Sequence, residues 1–330
     1  MENNVKENKA LSRQEKAVAR ANAKMAKQLA KKKTKIQESL GDRILLGFTD
    51  FVLILVLIIV GYPVLYVISC SFSSNAALTA GRVFFLPVEP SLASYDFVFQ
   101  FDQVWQGYRN TIFYTVTGVI CTMIMQVLCA YPLSKRHYQG RNMFMAFFFI
   151  TTMVHAGMIP TLLVRASMGL RNNVFAIILA AILNVHNMII MRTAFQSSIP
   201  GELYDAAAID GANDFQTLTK IALPLTKSTV SVLTLYAAVS AWNEYFTSMI
   251  YLPGRSDLWP LQLVLRPILT ASQALATQDL SAAQQAALEN TGTEGVIFAL
   301  IVIATVPVLV MYFVVQKYFE KGVMIGSVKG

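Results

Sequence analysis

Charge is scarce in this sequence. Asp, Glu, Lys and Arg make up 14% of its 330 residues, against roughly a quarter in soluble proteins, too little to cover a soluble domain of this length. Histidine and cysteine are scarcer still, at three each. His137, His155 and His186 show neither HxxxH nor HExxH spacing, and no nucleophile motif or metal-ligand spacing occurs. These absences argue against a membrane-embedded enzyme, and no catalytic or metal-binding residue is assigned. Cys70, Cys121 and Cys129 fall in apolar stretches and read as small packing residues rather than a disulfide framework. No Gly-rich phosphate loop ending in Lys-Ser or Lys-Thr is present, so an energy source within this chain is set aside.

Hydrophobic residues are abundant, at 55%. Six apolar segments, 47–72, 111–133, 143–164, 174–191, 229–252 and 296–315, reach or approach the ~20 residues that cross a bilayer as a helix. The predicted fold is all-α, a polytopic membrane protein of six transmembrane helices. The net charge of +8 does not point to nucleic acid, because most of the excess lies in the first forty residues. In this tail Leu11, Val18, Met25, Leu29 and Ile36 recur at helical spacing. Two readings stand for it: a basic amphipathic helix on anionic lipid, or a solvated tail that fixes topology. The chain thus divides into a basic cytoplasmic tail, 1–42, and a six-helix membrane domain, 43–330.

With the N-terminus in the cytoplasm, every lysine falls inside: the tail, Lys135, Lys220, Lys227, Lys317, Lys321 and Lys329. The outer connections then carry arginine but no lysine, the positive-inside asymmetry, and both termini are expected in the cytoplasm of a cell-membrane protein. The longest outer connection, 253–294, contains an alanine- and glutamine-rich stretch that reads as helix.

The inner loop 192–227 contains the most informative pattern. Pro200 announces a helix start, with Glu202 and Asp205 in the first turns, where the helix dipole favours acids. Ala206, Ala207 and Ala208 form a surface that a partner protein can approach closely. Gly211 permits a change of direction, and Asn213, Asp214 or Thr217 is positioned to start a second helix. Ile221, Leu223 and Pro224 then lead back to the membrane. The result is a cytoplasmic helix-turn-helix elbow at 200–224.

Here the chain resembles the permease subunits of bacterial binding-protein-dependent ABC importers. Their cytoplasmic motif, Glu-Ala-Ala, three residues, Gly, nine residues, Ile-x-Leu-Pro, is matched by Asp205, Ala206, Ala207, Gly211, Ile221, Leu223 and Pro224. Asp replaces the leading Glu, which keeps the charge and shortens the reach. The stretches Gly157-Met158-Ile159-Pro160, Trp242-Asn243-Glu244-Tyr245-Phe246, Pro260-Leu261-Gln262 and the ending from Gln316 are similar to the carbohydrate branch, the maltose-transporter type and its oligosaccharide permeases. The resemblance runs from about residue 41 to the end and implies the type I importer permease fold. It further implies that the elbow is a coupling helix, docking on a separate ATPase that binds ATP and Mg, with no cofactor on this chain. The implied partners are a second homologous permease, two ATP-binding subunits, an extracellular solute-binding protein, a carbohydrate and membrane lipid. Importers of another solute and ion-coupled secondary transporters remain the alternatives.

Polar residues inside spans cost several kcal/mol each and need a reason. Trp242, Asn243, Glu244 and Tyr245 combine ring, amide and carboxylate, a set suited to a sugar. Glu244 alternatively faces water or pairs with Arg255 or Arg266. His155, Asn184, His186 and Asn187 are either wall residues of the same path or bridges between helices. Asp50 is expected to pair with a nearby cation such as Arg43. Tyr62, Tyr66, Tyr114 and Tyr131 read as interfacial anchors, and Pro63 and Pro160 as kinks in the first and third spans.

Overall fold

The computed structural model describes residues 40–154, 156–274 and 293–326, and their regular structure is helical, with one isolated antiparallel bridge between Ser73 and Pro90. The basic tail, His155 and the alanine- and glutamine-rich stretch lie outside the described residues, so the expectations for them stay as stated.

The chain divides at Pro63 into two units. In the first, the described part of helix α1 (Leu40–Ser71) is apolar on all sides after its last charge at Asp50, as lipid contact demands. Pro63 lies inside α1, which remains one helix through it. Asp50 and Arg43 form no ion pair, contrary to expectation; seven residues apart, they lie two turns apart on the helix.

In the second unit, the end of α1 is followed by α2 (Asn75–Thr79) and α3 (Ala93–Phe99). Ser74 caps α2 and also donates to Glu89, which pairs with Arg82 at 2.9 Å. Cys70 packs there with Ala77, Leu78 and Val83, and all three cysteines are free. Helix α4 (Asp102–Ser134) is the long central element. It is followed by α5 (Arg141–Met153), α6 (Met158–Ser167), α7 (Phe175–Ala180), α8 (Val185–Ser198), α9 (Gly201–Ile209) and α10 (Asp214–Thr217). A π-helical turn (Leu218–Ala222) and α11 (Leu223–Leu225) lead into α12 (Lys227–Trp242). Then come α13 (Phe246–Tyr251), a 3-10 turn (Ser256–Leu258), α14 (Leu261–Ala274) and α15 (Thr293–Gly326).

All six expected apolar segments are helical, but only the first, second and sixth form uninterrupted helices long enough to cross a membrane. The fourth and fifth are broken, at 181–184 and 243–245, and the third is divided between α5, ending at Met153, and α6, starting at Met158. Pro160 does not kink a continuous third span. It sits in the first turn of α6, where a missing N–H costs nothing because that donor has no helical partner.

Two apolar clusters sit at the ends of α4. The upper cluster, at its N-terminal end, gathers Val104 with Phe97, Trp242, Leu261, Leu265, Val296 and Leu300; the lower, at its C-terminal end, gathers Tyr131 and Leu133 with Met188, Phe195, Leu218 and Leu233. Helix α14 approaches α4 so closely that a Cβ on Gly107 would stand 3.0 Å from the Leu261 Cα, inside normal contact distance. Tyr114 and Tyr131 are not interfacial anchors. Both are buried, Tyr114 donating to the Leu258 carbonyl at 2.8 Å and Tyr131 packing edge-on against Phe195, because the packed face of α4 carries them inward.

Candidate functional site

The elbow is shaped mostly by its own sequence. Pro200, extended at its backbone, precedes α9, with Glu202 in the first turn. Asp205 and Ala206 face outward, while Ala207 is buried against the body of the elbow. After Ile209 the chain reverses at Gly211, whose φ of +74° lies in the left-handed region that glycine adopts without steric cost. The Gly211 and Ala212 N–H groups close this turn by donating to the Ala208 and Ala207 carbonyls. Asn213 then opens α10 with a reciprocal cap: its side chain accepts from the Gln216 N–H at 2.8 Å, and the Gln216 side chain accepts from the Asn213 N–H at 3.0 Å.

Ile221 lies in the π-helical turn, and Leu223 and Pro224 in α11. At Thr226 the path turns by 84° into α12. The Thr226 hydroxyl and N–H both donate to the Ala222 carbonyl, pinning the corner. Inward-facing Ile199, Leu218 and Ala222 fasten the elbow to the lower cluster. Ile209 is 86% exposed and Phe215 70% exposed on either side of the Gly211 turn, two large apolar groups in the open with acidic Asp205 nearby in sequence.

One tie was not legible from the motif. Lys135, just beyond α4, forms an ion pair with Asp214 and lies over the rings of Tyr131 and Tyr204, 4.8 and 5.6 Å from their centroids. Burial works against the Lys135 ammonium and the bond to Asp214 works for it, and the balance lies above the ordinary lysine value. Burial also pushes the Tyr204 hydroxyl up. Beside this tie, Arg192 and Gln196 of α8 donate to the Leu133 and Ser134 carbonyls at the end of α4.

The helix breaks build a second feature. Between α7 and α8, the Asn184 side chain accepts from the Asn187 N–H at 3.1 Å and starts α8, while the Thr122 hydroxyl donates to the stranded Ala181 carbonyl at 2.9 Å. Between α12 and α13, the Glu244 carboxylate accepts from the Thr247 N–H at 2.6 Å. These breaks and α4 line a partly open cavity of about 480 Å³, within the roughly 300–1,000 Å³ range of ligand pockets.

Asn184, Asn187 and Glu244 line this cavity together with Tyr114, Thr122, Tyr236, Ser240 and Thr247. Trp242 does not. Its indole is buried in the upper cluster and donates to the Ala304 carbonyl at 3.0 Å. Asn243 donates to the Val239 carbonyl and accepts from Gln262, and Tyr245 lies under the Arg266 guanidinium at 5.2 Å. Arg255 is bonded to Asp257 rather than to Glu244. Sequence reasoning missed Thr122 and read Tyr114 as an anchor; Tyr114, Gly118 and Thr122 lie four residues apart on one helical face, but Thr111, Thr115, Thr117 and Gln126 share the span and mask the pattern.

Comparison with known proteins fits this arrangement. The family described as binding-protein-dependent transport system inner membrane component matches residues 37–325. Protein LplC of Bacillus subtilis is 38% identical over 270 residues, 81% of this chain and 89% of that one. The polygalacturonan/rhamnogalacturonan transport system permease protein YtcP of the same organism is 36% identical, covering 89% of this chain and all of its own. Among solved structures, a bacterial ABC transporter involved in import of the acidic polysaccharide alginate contains a chain that superimposes with a TM-score of 0.77. That chain is 38% identical and is covered in full by 86% of this one.

Proposed function

The chain belongs to the binding-protein-dependent transport system inner membrane components, and on that footing we propose that it carries a carbohydrate, an oligosaccharide, into the cell by alternating access. It is a transport subunit and not an enzyme, an inner membrane part of an importer whose ATPase is a separate polypeptide.

The observation that carries the mechanism is the course of α12. This helix begins at the 84° corner of the elbow and, farther along, contributes Tyr236 and Ser240 to the cavity, with Glu244 just beyond its end. A displacement of the elbow therefore reaches the cavity wall through one helix. In this reading Asp205, Ala206 and Gly211 form the surface seated on the ATPase, with Ala207 packed beneath it, Glu202 at its edge and Ile221, Leu223 and Pro224 as the link. ATP with Mg binds on that partner. Two such ATPases, a second homologous permease that closes the other side of the path, and an extracellular solute-binding protein complete the transporter. Carbohydrate as cargo follows from the sugar-polymer relatives and from a cavity wall of amides and hydroxyls. Lys135, Lys220 and Lys227 at the elbow end support a cytoplasmic elbow and cytoplasmic termini.

Purification from the native membrane in mild detergent tests this. The expected result is stoichiometric recovery of a second permease, an ATPase and a binding protein, with ATP-dependent uptake of an oligosaccharide by vesicles containing the set. Recovery of the chain alone, with uptake driven by an ion gradient, would overturn it in favour of a secondary transporter.

A further inference from the structure

The cavity has a one-sided charge. Its described lining holds no Lys, Arg or His and one acid, Glu244. The arginines near it in sequence are placed elsewhere: Arg255 forks onto Asp257, Arg266 covers the Tyr245 ring, and Arg109 lies in a separate outer crevice that shares only Tyr114 with the cavity. Glu244 is fixed in place, because one carboxylate oxygen caps the break before α13. Its half-buried side chain therefore stays on the wall.

Around it, Asn184, Asn187, Ser240 and the exposed Tyr236 ring offer what a neutral sugar uses: donors and acceptors for hydroxyls and an aromatic face for ring C–H groups. A carboxylate oxygen is a strong acceptor for a sugar hydroxyl. The same oxygen repels a uronate, and no cation among the described residues of the lining offsets the repulsion.

Resting on the carbohydrate reading above, we propose that this chain's cavity selects neutral oligosaccharides over oligouronides, with Glu244 as the specificity-determining residue. The bias runs opposite to the acidic polymers named for two of its relatives.

The test uses the complete transporter, with the three native cysteines replaced and Ser240→Cys as a reporter on the wall. Maleimide labelling of that thiol is timed with galactotetraose or cellotetraose, and with the counterparts of each oxidised to carboxylate at C6. Neutral sugar is expected to slow labelling at least tenfold more than its oxidised counterpart. Glu244→Gln, which keeps an acceptor for the Thr247 N–H, is expected to shrink that difference to under threefold by admitting the uronides.

Equal protection by both sugar types, or a difference untouched by Glu244→Gln, would overturn the proposal. If neither type protects while the same preparation still imports a carbohydrate, selection by this wall is refuted and the carbohydrate reading stands. If the preparation imports no carbohydrate, both fall.

Discussion

From Pro200 to Thr226 the chain makes its shape out of neighbours: a proline start, a left-handed glycine, a reciprocal Asn213–Gln216 cap and a threonine-pinned corner. The cavity is made the other way, from α4, α7, α8, α12 and α13, with partners such as Thr122 and Ala181 59 residues apart. A locally built element keeps its form when the body around it moves, whereas a cavity assembled from distant segments changes whenever they do. This division suits a device in which one part is gripped and another opens and closes.

The contrast predicts where substitutions act. The largest effect is expected at Gly211. A Cβ there has open space around it, so Gly211→Val meets only backbone strain, about 1–3 kcal/mol. Vesicle uptake should fall tenfold or more while the thermal midpoint of the purified chain shifts little. Gly211→Asn, which tolerates the left-handed region, should retain most uptake. Equal loss in both would show that the turn's conformation is not what matters.

At the cavity the expectation reverses, with stability affected as well as transport. Thr122→Val removes the donor that satisfies the Ala181 carbonyl at the α7–α8 break and should cost about 1–2 kcal/mol. Thr117→Val removes only a bond to the preceding turn of the same helix, at Phe113, and should cost a few tenths at most. Thermal unfolding in detergent separates the two variants.

The smallest effect is expected where elbow and body meet. The Asp214 side chain is 81% exposed, so a double-mutant cycle on Lys135 and Asp214 should give a coupling of about 0.2–1 kcal/mol after solvent screening. A clearly larger coupling would mean that the elbow is clamped to α4 rather than carried by α12.

The same division explains what could be read from the amino-acid order. Pro200, Gly211, Asn213 and Gln216 act within a few residues of themselves, so spacing alone located the elbow and its turn. The spans were legible as apolar runs, but their breaks were not. Asn184 and Glu244 looked like isolated polar residues in membrane segments, and their capping roles appear only once α8 and α13 have ends to cap. Trp242 misled for a related reason: an indole beside an amide and a carboxylate suits a sugar, yet helical geometry turns it toward Ala304 while Glu244 turns toward the cavity. The Lys135–Asp214 tie joins residues 79 apart and left no trace in local pattern.

The glycine at the crossing of α4 and α14 has a mechanical consequence. With Gly107 pressed against the Leu261 backbone, neither helix can slide a turn along the other without setting a larger side chain where only hydrogen fits. The two therefore act as a single strut. Whatever travel the transport cycle requires must be taken up at the interrupted segments and at the Thr226 corner, so the bearing surfaces of this subunit are distinguished from its frame by the width of one methyl group.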